Sequence, residues 1–197
     1  CNMTGNTLVS TVSEKGIITA VVEKGAGTVP AGNEGFIVNT GAKDVTLISF
    51  SDDMDKALAS LVIANGALSA GKKVTIFYTF WGLNIIKKVK KPYVKKGIMG
   101  RMFSIMLPSN NAKLKLSKMN MGGMGSAMMR MIMKSQKIDT LNTMLENAVS
   151  SGIRIIACQM SMDVMGVKRE ELIDAAEIGG VANYLESASD ARINLFI

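Results

Sequence analysis

The chain has 197 residues, 48% of them hydrophobic, with a formal net charge of +7, two cysteines and no histidine. Without histidine it has no Ser-His-Asp or Cys-His catalytic site of its own, and two cysteines far apart argue against a disulfide framework and a zinc site. The longest apolar run, residues 98–107, contains Arg101 and falls well short of the roughly 18 residues that a membrane-spanning helix needs. We therefore expect a globular protein of the reducing cytoplasm, without a bound metal ion or cofactor.

The beginning of the chain has a pattern of its own. Residues 7–24 predict a β-hairpin, because two β-branched runs flank a turn at Glu14-Lys15-Gly16. The glycine-rich residues 25–43 that follow predict a linker. The chain begins at Cys1 without an initiating methionine, so we expect a piece of a longer protein. A mature lipoprotein, which also begins with cysteine, is the less favoured alternative.

From residue 44 onward, strand patterns alternate with helix patterns. Strands are predicted at 45–50, 73–80, 153–160 and 192–197, and helices at 51–71, 138–152, 169–176 and 181–188. Such alternation is typical of a mainly parallel sheet with helices on both faces. The predicted fold class is therefore α/β, a three-layer α/β/α sandwich.

A long basic insertion interrupts this pattern at about residues 87–134. Between Lys56 and Ile138 there is no Asp or Glu, yet 16 of the 23 Lys and Arg residues lie there. Such asymmetry indicates a face for an anionic partner or a merely solvated basic surface, and both remain open. Ten of the 16 methionines lie between Met99 and Met133. They suggest a subunit interface, then a membrane surface, then a soft-metal site, in that order.

Cys158 is the candidate catalytic residue. It lies near the carboxyl end of the predicted strand 153–160, where open α/β sheets have their ligand crevice. A helical turn opened by Ser161 or Asp163 would offer free amides to a thiolate. Phe80 and Trp81 end the preceding strand at the same edge, as a pocket wall or as core. The alternative for Cys158 itself is a small buried hydrophobe.

Four stretches of the sequence carry a family resemblance: residues 156–166 (IACQMSMDVMG), 55–59 (DKALA), 77–83 (FYTFWGL) and 116–125 (LSKMNMGGMG). In their order along the chain they resemble the DsrE/DsrF-like sulfur-transfer proteins, in the branch called peroxiredoxin-like or fused to CoA-disulfide reductases. The resemblance runs from about residue 45 to 197. It implies a sheet between helices, oligomerisation, and a cysteine that receives sulfane sulfur as a persulfide. That role falls on Cys158 alone, because the insertion lacks the second cysteine that some relatives have.

Residues 1–8 together with the hairpin resemble the second half of a TusA-like sulfur-carrier domain. The cysteine that carries sulfur in such domains lies near their beginning and has no counterpart here. Cys1 does not match that position and receives no role. The expected division is a partial TusA-like segment at 1–24, a linker at 25–43 and a DsrE/DsrF-like domain at 44–197.

The resulting hypothesis is sulfur trafficking, by a sulfurtransferase or a sulfur carrier. Cys158 would accept sulfane sulfur from a persulfide-bearing donor protein and pass it to an acceptor protein, without a cofactor. We expect a homo-oligomer and no nucleic-acid partner. The alternative is a non-catalytic module that binds a membrane surface or a partner through the basic, Met-rich insertion. Peroxide reduction is less favoured, because the chain has no Thr-x-x-Cys thiol-peroxidase motif.

Overall fold

The computed structural model describes residues 7–14, 17–23, 44–90, 92, 94, 96–97, 100, 102, 104 and 106–197. Cys1 and the predicted linker 25–43 lie outside the described residues, as do Lys91, Lys95 and Met99 of the insertion. The chain divides into two compact units, Cys1–Ile37 and Val38–Ile197. In the first unit, strands β1 (Thr7–Glu14) and β2 (Ile17–Glu23) pair antiparallel, as the sequence predicts for this hairpin.

The second unit is built on a five-stranded sheet in the order β6-β5-β4-β3-β7. Each neighbouring pair runs parallel. Its strands are β3 (Asp44–Ser49), β4 (Val74–Tyr78), β5 (Arg154–Cys158), β6 (Ala176–Gly179) and β7 (Ala191–Phe196). The central strands β3, β4 and β5 are mostly apolar, as is typical of strands whose two faces are both covered.

Helices lie on both faces of this sheet. The described helices are α1 (Met54–Ser69), α2 (Met124–Ser135), α3 (Leu141–Ser150), α4 (Gln159–Met165) and α5 (Val181–Asp190). Helices α1 and α3 pack on each other at one face, and α5 contacts β3, β4 and β6 at the other. The predicted three-layer α/β/α sandwich is confirmed. Among the described helices, none has the length and apolar character to cross a membrane.

Successive strand residues contribute to two different cores, because side chains alternate between the faces of a strand. Leu47, Ile76 and Ile155 belong to the large core beside α1 and α3. Phe77 and Ile156 belong to a smaller cluster that includes Tyr184 of α5. The two faces therefore carry separate apolar cores, and the smaller one contains Cys158.

The prediction of a helix at residues 169–176 is wrong beyond its first turn. The structure has a single 3-10 turn, Arg169–Glu171, followed by the edge strand β6. This strand has only four residues, Ala-Glu-Ile-Gly, which is too short for a recognisable alternation. It exists because its backbone pairs with β5, an interaction between distant parts of the chain that local sequence does not encode.

Two ion pairs join the basic insertion to the segment before β6. Lys96 Nζ lies 2.5 Å from Glu171 Oε1, and the two side chains are only 9% and 6% exposed. Lys96 also donates to Ser104 Oγ at 2.7 Å. Lys88 Nζ and Asp174 Oδ1, 2.7 Å apart, form a second pair in which Asp174 is 91% exposed. Part of the charge asymmetry along the sequence is therefore neutralised in the fold.

Candidate functional site

Cys158 is the last residue of β5 and immediately precedes the first residue of α4. The strand ends two residues earlier than its predicted end at Met160, and the helix begins at Gln159 without an intervening loop. Cys158 is the N-cap residue, with extended backbone angles of φ −67° and ψ 113°. The cysteine thus lies at the carboxyl edge of the sheet, where the sequence places it.

The environment of Cys158 is apolar and closed. The residue is 5% exposed and shares its cluster with Phe77, Ile156 and Tyr184. The rings of Phe77 and Tyr184 lie 5.4 Å apart between centroids. Cys158 is a free cysteine. The Cys158 side chain is therefore largely shielded from solvent, and Tyr184 of α5 is part of the cluster around it.

A buried hydroxyl pair fixes the start of α4. Ser161 Oγ and Thr79 Oγ1 lie 2.8 Å apart, with Ser161 fully buried and Thr79 just after β4. This hydrogen bond joins the residues that follow Cys158 to the end of the neighbouring strand. Both predicted helix-opening residues, Ser161 and Asp163, lie inside α4 and do not cap it. Asp163 accepts instead from Gln159 Nε2 at 3.0 Å.

Gly179 lies opposite Cys158 in the parallel pairing of β5 and β6. A Cβ atom at this position would lie 2.9 Å from Ile156 Cγ2 and 3.1 Å from Asn183 Oδ1. That Asn183 oxygen accepts from the backbone N–H of Gly180 at 2.9 Å, at the start of α5. A larger residue at this position would therefore have to displace the side chains of Ile156 and Asn183, where β6, α5 and the Cys158 cluster approach each other.

Phe80 and Trp81, for which the sequence allows a pocket wall or core packing, belong to the 3-10 helix Phe80–Asn84 that follows β4. Phe80 packs against the large core, and its ring lies 5.4 Å from that of Phe50. Phe50 in turn lies 5.8 Å from Phe196 at the end of β7. Trp81 is 41% exposed. Of the two interpretations of Phe80, the structure favours core packing.

Sequence reasoning missed a polar group at the same edge of the sheet. Asn84 Nδ2 donates to Asp52 Oδ2 at 2.9 Å, and Asn84 is fully buried. Burial raises the pKa of Asp52 above its ordinary value, although the Asn84 hydrogen bond and the charge of Lys87 oppose the shift. Lys87 is itself buried and donates to the Pro108 carbonyl at 3.4 Å. The sequence feature that could have indicated this group is the carboxylate of Asp52, shortly after the buried strand β3.

The methionines of α2 divide between interior and surface. Met133 is buried, whereas Met124, Met128 and Met131 are 64%, 54% and 72% exposed. The helix is attached through Gly125, where a Cβ would overlap the Met119 carbonyl oxygen, and through Arg130, which donates to the Leu114 carbonyl at 2.8 Å. The helical spacing of these methionines is thus a surface feature within this chain.

Together these features define an α/β protein with a parallel sheet and a buried, free cysteine at a strand end. The DsrE/DsrF/DrsH-like family model matches residues 41–196, and the chain belongs to that family. The family resemblance found in the sequence motifs is therefore confirmed. The hairpin precedes the matched region, so its likeness to a TusA-like domain stays a prediction.

Two curated relatives align along nearly their whole length. The uncharacterized protein YrkE of Bacillus subtilis is 44% identical over 155 residues, which is 79% of this chain and 97% of the relative. The sulfur carrier protein DsrE2 of Allochromatium vinosum is 31% identical over 159 residues, covering 79% and 98%. Among solved structures, the ychN protein from E. coli superposes with a TM-score of 0.47 at 10% identity, covering 79% of this chain and 99% of that one.

Proposed function

We propose that this protein takes part in sulfur trafficking, with Cys158 accepting sulfane sulfur as a persulfide and passing it to another thiol. The observation that carries the proposal is the position of Cys158 as the last residue of β5 in a DsrE/DsrF/DrsH-like chain. A relative that is 31% identical over 98% of its length bears the name sulfur carrier protein. The family resemblance implies that the cysteine at this position receives the sulfur.

The reaction is a thiol exchange without net oxidation or reduction. The Cys158 thiolate attacks the outer sulfur of a donor persulfide, a new S–S bond forms on Cys158, and the donor's S–S bond breaks. The donor leaves as a thiolate, and the transferred sulfur keeps its proton. The second half-reaction is the same step with an acceptor thiolate as the attacking group. Neither half-reaction requires a cofactor.

The surroundings of Cys158 suit a protected persulfide. Because Cys158 precedes the first turn of α4, its charge would lie near backbone amides without a partner inside that helix. The apolar cluster of Phe77, Ile156 and Tyr184 excludes water and small thiols from the sulfur. Exchange would then depend on a partner protein that displaces part of this cluster.

The chain has no second cysteine close to Cys158 in sequence, and its other cysteine is Cys1. We propose that the sulfur passes to a thiol outside residues 44–197, and that the partners are persulfide-bearing donor and acceptor proteins. We further propose that the protein is a homo-oligomer, and that residues 1–24 are the end of a TusA-like domain joined to the domain at 44–197 by the linker 25–43.

A single-turnover transfer experiment tests the proposal. The chain is loaded by a persulfidated donor protein, separated from that donor, and mixed with a reduced acceptor protein, and the bound sulfur is followed by intact mass. The matched variants are Cys158→Ser and Cys1→Ser. We expect loading and transfer in Cys1→Ser and neither in Cys158→Ser. Equal loading of both variants would contradict the proposal.

A second candidate function rests on the exposed face of α2. Met124, Met128 and Met131 form this face, within the stretch that has no acidic residue. Apolar side chains next to basic ones suit the surface of an anionic membrane. Flotation with anionic liposomes at low and high salt discriminates the two functions. Salt-sensitive binding that persists in Cys158→Ala and is lost on changing the three methionines to serine would favour the membrane function.

A further inference from the structure

A cavity of about 610 Å³ opens beside α2, formed by the starts of α1 and α3, the end of α2 and the turn at Asn111–Lys113. Its apolar wall includes Met54, Leu58, Met133 and Leu141. Met54 and Leu141 belong to the large core, whereas Cys158 belongs to the cluster on the other face of the sheet. The cavity is therefore separate from the proposed sulfur site.

One buried polar atom, in a residue that lines this cavity, has no partner among the described residues. Asn111 lines the cavity and is 2% exposed, and its Nδ2 donates to Asn142 Oδ1 at 3.2 Å. The Asn111 Oδ1 atom, however, has no hydrogen-bond partner among the described residues. A buried carbonyl without a donor is costly in free energy. A ligand that donates an N–H or O–H group to this oxygen would remove that cost.

The rim of the cavity is predominantly positive. Lys134, Lys137 and Arg130 line it together with a single carboxylate, Asp139. Arg130 is held in place by its hydrogen bond to the Leu114 carbonyl at 2.8 Å. Both lysines are exposed, so their ammonium groups can meet an anion at the mouth. The charge arrangement thus selects a ligand with a negative group at one end.

Apolar walls, one unpaired acceptor and a cationic rim define one ligand chemistry. We propose that this cavity binds a small apolar organic anion that carries a hydrogen-bond donor near its apolar body. The apolar body packs against Leu58 and Met133, the donor meets Asn111 Oδ1, and the anion meets Lys134 and Lys137. The volume lies within the range of about 300–1,000 Å³ that is usual for small-molecule sites.

The dye 8-anilinonaphthalene-1-sulfonate matches this chemistry, because it combines an aromatic body, an N–H donor and a sulfonate. We expect saturable fluorescence enhancement in the full chain. Ala112→Trp, which places an indole against the cavity, should abolish the saturable binding. Ala127→Trp, an equally exposed position on α2 outside the cavity lining, should leave it unchanged.

Two further variants test the polar contacts, with unchanged circular dichroism as the check on folding. Lys134→Glu/Lys137→Glu should weaken dye binding by about tenfold or more, whereas Lys90→Glu/Lys118→Glu, also exposed but outside the lining, should not. Asn111→Ala should weaken it by about fivefold. Absence of saturable binding would overturn the proposal. Equal effects of the two tryptophan variants would also overturn it, because the dye would then bind the exposed methionines.

Discussion

Ser161 Oγ and Thr79 Oγ1 form a buried hydrogen bond of 2.8 Å that fixes the first turn after Cys158 to the end of β4. Neither residue reacts in the proposed function, but the pair positions Cys158, which does. The position of the thiol therefore depends on a polar contact between the first turn of α4 and the end of β4, in addition to the pairing of β5 with its neighbours.

Removing this hydrogen bond should destabilise the fold. Ser161→Ala leaves the Thr79 hydroxyl buried without its partner, at a cost of about 1–3 kcal/mol in the free energy of unfolding. Ser189→Ala is the matched control, because Ser189 Oγ donates to the Glu186 carbonyl on the exposed side of α5. Urea denaturation checks both variants. A stability loss no larger in Ser161→Ala than in the control would show that the pair is dispensable.

The Tyr184 side chain should control access to Cys158. Tyr184 is 7% exposed and packs in the same cluster as the cysteine, whereas its neighbour Leu185 is 56% exposed. We expect Tyr184→Ala to accelerate iodoacetamide labelling of the Cys158 peptide by about tenfold or more, the change that a shift of about 1.4 kcal/mol in the opening equilibrium gives. Leu185→Ala should leave the rate unchanged. Identical rates in all three proteins would mean that another element shields the sulfur.

The buried ion pair between Lys96 and Glu171 should anchor the insertion. Lys96→Met leaves Glu171 buried without its counterion, which typically costs about 3–5 kcal/mol. Lys88→Met removes the partner of the largely exposed Asp174 and should change stability little. Thermal and urea unfolding of the two variants provide the comparison. An equally small loss of stability in both variants would contradict the anchoring of the insertion by the Lys96–Glu171 pair.

Asp52 and Asp55 should affect stability with opposite signs. Burial raises the pKa of Asp52 above 3.8, so its ionisation at neutral pH opposes folding. Burial also acts to raise the pKa of Asp55, but hydrogen bonds from Ser117 outweigh it and lower that pKa below 3.8. Ionised Asp55 therefore stabilises the fold above the unfolded pKa, and this contribution is lost as pH falls through the folded pKa.

Asn substitutions at both positions test these signs. Asp52→Asn should raise the free energy of unfolding at neutral pH, and the gain should vanish as pH falls below 3.8. Asp55→Asn should lower the free energy of unfolding at neutral pH, and this loss should shrink as the pH falls below 3.8. Denaturant titrations across this pH range measure both. The same sign for the two variants at neutral pH would contradict these shifts.

The fold could be predicted largely from apolar patterning. Val45–Phe50 and Ile153–Cys158 are apolar or β-branched except for Ser49 and Arg154, a composition typical of strands buried on both faces. The edge strand β6 could not be predicted, because Ala176–Gly179 is short and is defined by its pairing with β5. The composition of this short segment does not indicate that it pairs with β5.

For the candidate site, the sequence predicted the strand-end position of Cys158 but not its surroundings. Tyr184 and Thr79 lie 26 and 79 residues from Cys158 along the chain, and only the topology brings them to one edge. The basic stretch from Lys56 to Ile138 similarly gave no sign that Lys96 is buried against Glu171. Contacts between residues so far apart in sequence can be identified only from the folded structure.

The central claim is that Cys158 holds sulfane sulfur. The most direct measurement is peptide mass spectrometry of the full chain after incubation with a persulfidated donor protein, with trapping by iodoacetamide and a dithiothreitol-treated sample as control. The account predicts that the Cys158 peptide gains the mass of one sulfur atom, which the reductant removes, while the Cys1 peptide is unchanged. A Cys158 peptide that carries only the alkyl group, with the sulfur found on Cys1 or remaining on the donor, would contradict it.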